Sequence, residues 1–200
     1  MINGTKEKIL ENALELFAQS GYLGTSMSDI ANRLGITKAA LYKHYAGKQE
    51  ILDSIILRMN ELDTERAQAY DMPEGAAEEA AEAYSHTPED RIRAYSKAQF
   101  IHWTEDKFSS NFRKMLTLEQ YRDPKMAELY QEYLGSGPVR YMTAVFSKIT
   151  GSDSLAEQLA PEFYGPIFLL YSLYDGAKNK EKIILMLDTH IDRFIEKIGK

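Results

Sequence analysis

The stretch that decides the fold is SMSDIANRLGITKAALYKHY, residues 26–45. Ser26 is a residue type that caps helices, and Asp29 three positions later would place a carboxylate at the positive end of the helix dipole. Gly35 stands where the end of a helix favours a residue that tolerates a positive φ. Thr37 offers a second helix cap. The pattern predicts two short helices joined by a tight turn.

The side chains of this stretch divide into an inward and an outward set. Leu41 and Tyr45, four positions apart, are expected to face the interior, and the small Ala31 lets the two helices approach closely. Ala39 and Ala40 keep the outer surface of the second helix low, so that its backbone could approach base edges. This is the geometry of a helix-turn-helix, whose second helix enters the major groove. The stretch therefore predicts double-stranded DNA as a partner.

Apolar periodicity extends the helical pattern on both sides of this stretch. Leu10, Leu14 and Phe17 lie on the stripe of an amphipathic helix, and a further helix is expected to start near Lys48. Residues 71–87, rich in Ala and Glu, are expected to form a partly helical connector. Other helices are predicted at 88–105, 108–119, 123–134, 138–150, 153–177 and 180–198.

The chain shows no alternating strand pattern of useful length, so an all-α fold with about nine to ten helices is predicted. The expected organisation is an N-terminal three-helix helix-turn-helix domain at residues 1–48 and a helical domain at residues 49–200. Pro and Gly cluster near the expected helix ends, which agrees with this division into elements.

Composition narrows the class of protein. The 200 residues include no cysteine, which excludes disulfides and thiolate metal sites and favours the cytoplasm. No apolar run approaches the roughly 20 residues that a membrane helix needs, so no membrane partner is expected. The histidines are scattered, and neither a nucleotide loop nor a nucleophile elbow is present. No cofactor, metal or catalytic residue is predicted, and the chain is not expected to be an enzyme.

The net charge of −6 is unusual for a protein that binds nucleic acid, but the charges are unevenly distributed. The first 50 residues carry a net charge of +1, and the rest of the chain is acidic. Between Ile30 and Gln49 there are four cations and no anion. Phosphate binding requires only such a local patch. Taken alone, the same cations are also compatible with an ordinary solvated surface.

Several segments of the first fifty residues together resemble the signature of the tetracycline-repressor (TetR) family. They are LFAQSGY at 16–22, TSMSDIA at 25–31, LGITKAALYKHY at 34–45 and Lys48. The resemblance implies an N-terminal DNA-binding domain followed by a helical regulatory domain for ligand binding and dimerisation. Glycine is common in the family at the position of Ala39. The resemblance therefore does not indicate which base this position prefers.

The resemblance also implies which side chains meet DNA. Lys38 would reach base edges or phosphates, and Lys43 would do either. Tyr42, His44 and Lys48 would hold phosphates. Simpler interpretations stay open, since Tyr42 could be a packing residue and Lys43 and His44 ordinary surface residues. The complete set predicted to contact DNA is Ser26, Met27, Ser28, Thr37, Lys38, Ala39, Ala40, Tyr42, Lys43, His44 and Lys48.

The last two predicted helices carry a heptad-like apolar pattern, with steps of three and four residues in helix 180–198. The resemblance implies that these helices pair with those of a second subunit, so a homodimer on a palindromic operator is expected. The alternative is that the pattern packs within one chain. The predicted interface residues are Phe163, Ile167, Leu170, Tyr171, Tyr174, Ile184, Leu187, Ile191, Phe194 and Ile198.

Aromatic side chains are dense between residues 95 and 174. Following the resemblance, some of them would line a pocket for a small, largely apolar effector. Each of them could equally be a core residue. The candidates for ligand binding are Phe100, Trp103, Phe112, Met115, Tyr141 and Phe168.

The sequence therefore predicts a DNA-binding transcriptional regulator, a repressor in the usual form of the family, whose operator affinity responds to a small molecule. Two other classes stay open. One is an all-helical enzyme that acts on an apolar substrate, which turnover of a bound ligand would support. The other is a helical interaction protein that has lost DNA binding, which a mobility-shift assay would distinguish.

Overall fold

The computed structural model describes residues 4–73, 77–84 and 86–198, with the backbone alone for 77–79, and its regular structure in these ranges is helical. The helices are α1 Gly4–Ser20, α2 Met27–Leu34, α3 Lys38–Tyr42, α4 Lys48–Ala69, α5 Ala77–Tyr84, α6 Glu89–Glu105, α7 Lys107–Glu119, α8 Pro124–Leu134, α9 Ser136–Thr150, α10 Asp153–Gly176 and α11 Lys180–Ile198. The predicted all-α class is confirmed. None of these helices combines the length and the apolar composition needed to cross a bilayer.

The helices after residue 88 begin and end within two residues of their predicted bounds. The connector predicted to be partly helical contains a helix, α5, while its residues 74–76 and 85 lie outside the described residues. A difference from the prediction lies earlier in the chain. The second helix of the deciding stretch ends at Tyr42, and the chain continues as a turn in which the His44 amide donates to Leu41 O at 2.9 Å.

The helices form two compact units. The first unit comprises Met1–Asp63 and Lys107–Tyr130, and the second comprises Thr64–Asp106 and Gln131–Lys200. The predicted boundary after residue 48 differs from this division, because α4 continues past that point and α7 returns to the first unit. Helix α7 packs against α1. The unit that contains the helix-turn-helix is therefore stabilised by a helix from much later in the chain.

The core of the first unit is built from the apolar faces of α1 to α4. Fully buried aliphatic and aromatic side chains close the space between these helices, and they are Leu10, Leu14, Phe17, Ile30, Leu41, Ile51, Leu52 and Ile55. Met115 and Leu116 of α7 are fully buried as well. Burying a side chain of this size contributes about 1.5–3 kcal/mol, so this small core can hold α2 and α3 in a defined orientation.

The second unit has an aromatic core. Helix α10 packs against α9, α11 and α6, while α5 packs against α9. Phe100 of α6 stacks on Tyr171 with ring centroids 5.2 Å apart and meets Tyr174 edge-on at 5.6 Å. Phe163 lies 4.7 Å from the ring of Phe194 on α11. These contacts join α6, α10 and α11 into one layer of rings.

This core contains most of the residues that were predicted to form the dimer interface. Eight of the ten predicted interface residues are buried inside the single chain, namely Phe163, Ile167, Leu170, Tyr171, Tyr174, Leu187, Ile191 and Phe194. Ile184 and Ile198 are half-buried. The heptad-like pattern is therefore the one that packs within the chain, because α6 and α9 supply rings that cover it. Other apolar side chains of α10 and α11 are exposed: Leu155, Phe168, Leu169, Leu173, Leu185 and Met186.

Candidate nucleic-acid interface

A complete capping box sets the start of α2. The Asp29 amide donates to Ser26 Oγ at 3.2 Å, and the Ser26 amide donates to Asp29 Oδ2 at 2.8 Å. The Ser26 hydroxyl donates to the same carboxylate oxygen at 2.6 Å. These bonds from Ser26 hold the pKa of Asp29 below its usual value. The predicted cap is confirmed, and the amides that it leaves for a phosphate are those of Met27 and Ser28.

Ser26→Ala is expected to lower the free energy of unfolding by about 1 kcal/mol, because it removes the side-chain half of the capping box. Chemical denaturation followed by circular dichroism measures this loss. Ser28→Ala is the matched control, since Ser28 lies in the first turn of the same helix and is expected to leave stability nearly unchanged. Equal losses in the two variants would contradict a capping role.

The turn between the helices depends on Gly35. Gly35 has a φ of +67°, and its amide donates to Asn32 O at 3.1 Å. The next amide, of Ile36, donates back to Ala31 O at 3.0 Å, which satisfies carbonyls at the end of α2. Thr37 then caps α3 by accepting the Ala40 amide at 3.1 Å. The predicted turn and cap are confirmed, and they fix the direction in which α3 leaves α2.

Helix α3 has a buried side and an exposed side. Leu41 is fully buried, and Tyr45 just after the helix is 3% exposed. On the opposite side Lys38, Ala39 and Lys43 are exposed. The outward surface of the helix therefore combines two cations with a small residue that permits close approach of a groove wall.

Tyr42 belongs to this outward surface, since its side chain is 46% exposed. Packing in the core is thereby excluded for this residue. The ammonium of Lys38 lies 5.8 Å from the centroid of the Tyr42 ring, within cation–π range. Thr37 is exposed beside them, while Ala40 is half-buried.

The four cations of the deciding region are not equivalent. Arg33 pairs with Glu15 of α1 at 2.7 Å, and Lys107 of α7 reaches the same carboxylate at 3.0 Å. Lys107, and to a smaller degree Arg33, holds the pKa of Glu15 below its usual value. In the described ranges Lys38 and Lys43 form no ion pair with a carboxylate. The charge that this surface offers to a polyanion is therefore carried by these two lysines.

Three other predicted contact residues have environments that sequence reasoning did not foresee. The Lys48 ammonium donates to Tyr22 O at 2.5 Å and to Thr25 O at 2.8 Å, so it is held by the loop before α2. The Met27 side chain is 7% exposed, which leaves its backbone amide for contact with DNA. His44 is half-buried. Contacts of these residues with DNA stay predictions.

The six ligand-binding candidates do not belong to one unit. Phe112 and Met115 lie in the core of the first unit, and the other four lie in the second. Phe168 is 40% exposed on α10, which is the position of a surface residue rather than of a pocket wall. Phe100 packs between rings of α10. Trp103 is buried and Tyr141 is half-buried in the second unit, so a role for these two residues in ligand binding stays a prediction.

Polar and aromatic side chains gather around α6 in the second unit. Arg66 donates to Gln99 Oε1 at 2.5 Å, and Gln99 donates to the Tyr95 hydroxyl at 2.6 Å. Burial, with a smaller contribution from the charge of Arg66, lowers the pKa of His102 to about 4. Tyr84 meets Tyr141 edge-on with centroids 6.2 Å apart.

Three of these groups, His102, Tyr84 and Tyr141, are neutral at pH 7, whereas Arg66 carries a positive charge. Burial raises the pKa of both Tyr84 and Tyr141, and the imidazole of His102 is uncharged. All three nevertheless keep part of their surface accessible. A set of enclosed but accessible hydrogen-bonding groups is the lining that a small-molecule site requires.

Comparison with known proteins finds a family model that matches the first part of the chain. Residues 9–55 match the family model of bacterial regulatory proteins of the tetR family. The chain is 50% identical over 46 residues to IcaR of Staphylococcus epidermidis, a negative transcriptional regulator of the biofilm operon icaADBC. That match covers 23% of this chain and 25% of IcaR, so the chain spans about a quarter of the relative's length.

Solved structures share the fold over almost the whole chain. A transcriptional regulator from Aquifex aeolicus superposes with a TM-score of 0.66 at 23% identity, covering 95% of this chain and 99% of that one. AibR, in complex with isovaleryl coenzyme A and operator DNA, superposes with a TM-score of 0.62 at 22% identity, covering 92% and 95%. Identities this low establish the fold alone.

Proposed function

We propose that this chain, whose residues 9–55 match the model of the TetR family of bacterial regulatory proteins, represses transcription by binding a palindromic operator as a homodimer. The observation that carries the proposal is the outward surface of α3, where Lys38 and Ala39, with Lys43 directly after the helix, are exposed. The Ser26 cap fixes the start of α2 and the Thr37 cap fixes the start of α3. Repression is supported by the similarity of the DNA-binding region to IcaR, which is a negative regulator. Because its proposed target is the chromosomal DNA of a bacterium, we expect the protein in the cytoplasm.

Selection from a random duplex library at low ionic strength tests the DNA-binding part of this proposal. The expected product is a palindrome whose half-sites lie about one helical turn, or a multiple of it, apart. The enzyme and interaction-protein alternatives both predict that no duplex is enriched. Failure to enrich any duplex would therefore refute the proposed function.

Lys38→Ala is expected to weaken binding to the selected operator about tenfold, because a good contact to a base edge contributes about 1–3 kcal/mol and loss of a phosphate contact also weakens binding. Fluorescence anisotropy over a salt series measures both the affinity and its salt dependence. A loss of slope of about one unit would assign Lys38 to a phosphate, and an unchanged slope would assign it to a base. Lys178→Ala, at an exposed lysine of the second unit, is the matched control. Equal affinity of the Lys38 variant and wild type would contradict its role.

The homodimer is supported by the exposed apolar residues of α10 and α11. Leu169 is 58% exposed and Leu173, four positions later on the same side of α10, is 41% exposed. Leu185 and Met186 of α11 are 65% and 43% exposed. Large apolar side chains gathered on two helices are typical of an association surface. We assign the subunit contact to these residues in place of the buried set predicted from the heptad pattern.

The regulatory part of the proposal is a small, largely apolar effector in the second unit. The uncharged hydrogen-bonding groups around α6, among them His102, Tyr84 and Tyr141, support an effector with little charge. Effector coupling of this kind changes operator affinity by about 5- to 150-fold. Trp103, whose ring lies 5.8 Å from that of His102, would report binding by a change in its fluorescence.

A further inference from the structure

A buried carboxylate of the first unit is used by none of the contacts described above. Glu119, the last residue of α7, is completely buried, and neither carboxylate oxygen accepts a hydrogen bond within the described part of the chain. Buried polar groups are usually hydrogen-bonded, and a buried charge is unfavourable unless an opposite charge compensates it. The position of Glu119 therefore calls for a physical explanation.

The backbone of the loop between α1 and α2 lies directly against this carboxylate. A β-carbon added to Gly21 would collide with Glu119 Oε1 and would lie 3.6 Å from Arg122 Nη1. Gly21 also has a φ of +83°, a conformation that favours glycine. Arg122 Nη1 lies 3.8 Å from Glu119 Oε1 and is more than half exposed. Only glycine at position 21 leaves room for the Glu119 carboxylate against the loop backbone.

Lys48 binds the same loop one residue after Gly21, at the carbonyl of Tyr22. Its ammonium lies 4.3 Å from the centroid of the Tyr22 ring, in addition to its bonds to the carbonyls of Tyr22 and Thr25. Burial lowers the pKa of Lys48, and the negative charge of Glu119 acts in the opposite direction. The two charges therefore interact, and the loop that Lys48 holds ends at Ser26, the cap of α2.

We propose that Glu119 is a positioning residue for DNA binding: its charge stabilises the Lys48 ammonium inside the loop, and Lys48 in turn fixes where α2 begins. The inference rests on the proposed function and adds a residue that touches no DNA. It also changes the predicted role of Lys48, which becomes an internal support of the reading helices rather than a phosphate ligand. Arg122 contributes charge from the solvent side.

The test combines Glu119→Gln and Lys48→Met, singly and together, with operator affinity measured over a salt series. Each single variant is expected to bind about tenfold more weakly with an unchanged salt slope, since no phosphate contact is lost. The double variant is expected to lose little more than either single variant, because both remove the same interaction. Glu11→Gln, an exposed glutamate of α1, is the matched control.

Two results would overturn the inference. A salt slope that falls by about one unit in Lys48→Met would make Lys48 a phosphate ligand, and this result does not depend on how well the Glu119 variant folds. Losses that multiply to about 100-fold in the double variant would show that the two residues act independently.

Hydrogen exchange on the free protein separates this inference from the proposed function. Glu119→Gln is expected to accelerate exchange of the amides between Tyr22 and Asp29, whereas Glu11→Gln leaves them unchanged. Unchanged exchange in Glu119→Gln would overturn the inference even if the wild type binds its operator. A wild type that binds no duplex, with accelerated exchange in the variant, would refute the proposed function while the support of the loop by Glu119 stands.

Discussion

Leu169→Glu combined with Leu173→Glu is expected to convert the proposed dimer into a monomer and to weaken operator binding by at least about 100-fold. Both leucines lie on the exposed side of α10, and in a symmetric dimer the substitution brings four carboxylates to one contact. Two linked reading helices bind on the order of 10²–10⁴ times more tightly than one, because the second half-site is bound at high effective concentration. Light scattering measures the mass, and anisotropy with full and half operators measures the affinity.

Leu57→Glu is the matched control for this prediction. Leu57 lies on α4 in the first unit and is 58% exposed, the same fraction as Leu169. Its substitution tests whether an added charge on any exposed leucine disturbs assembly. Dimers of unchanged stability in the α10 variant would show that the exposed leucines are not the subunit contact.

His102 is expected to make the second unit sensitive to mild acid. Its pKa is about 4 in the folded chain and about 6.5 when exposed, so the unfolded chain binds more protons between these values. The contribution of the neutral His102 imidazole to the free energy of unfolding is at most about 3 kcal/mol. This contribution is fully present above pH 6.5 and is lost as the pH falls towards 4. Burial is the main cause, and the charge of Arg66 adds to it.

Denaturation at several pH values compares His102→Gln with wild type. The variant is expected to lose less stability between pH 6.5 and 4, because an amide does not gain a proton there. His86→Gln, which replaces an exposed imidazole, should follow wild type. Parallel pH profiles for wild type and His102→Gln would contradict the lowered pKa of His102.

Much of the candidate interface could be predicted because its determinants are local. The Ser26–Asp29 box, the positive φ of Gly35 and the Thr37 cap each act over three or four residues of chain. Spacing along the sequence therefore contains the information needed to place them. Helix bounds after residue 88 were predictable for the same reason, since periodicity and end signals are local.

The residues around Lys48 show where such reasoning ends. Its two acceptors lie 26 and 23 positions earlier in the chain, and Glu119 lies on a helix that returns from far along the sequence. No periodic pattern connects these positions. The family resemblance implied that Lys48 holds a phosphate, and only packing showed that its ammonium faces backbone carbonyls.

The order and type of the helices, the reading stretch and its caps follow from the linear chain, because hydrogen bonds between near neighbours and the period of apolar residues specify them. Two other properties depended on how distant helices pack. One is which apolar side of α10 and α11 is covered, and the other is which cations pair with a carboxylate and which remain available to bind a polyanion. A heptad pattern states that a helix has an apolar side but not what covers it. Here the rings of α6 and α9 cover the patterned side within the chain, and the leucines that this packing leaves exposed are the ones available to a second subunit.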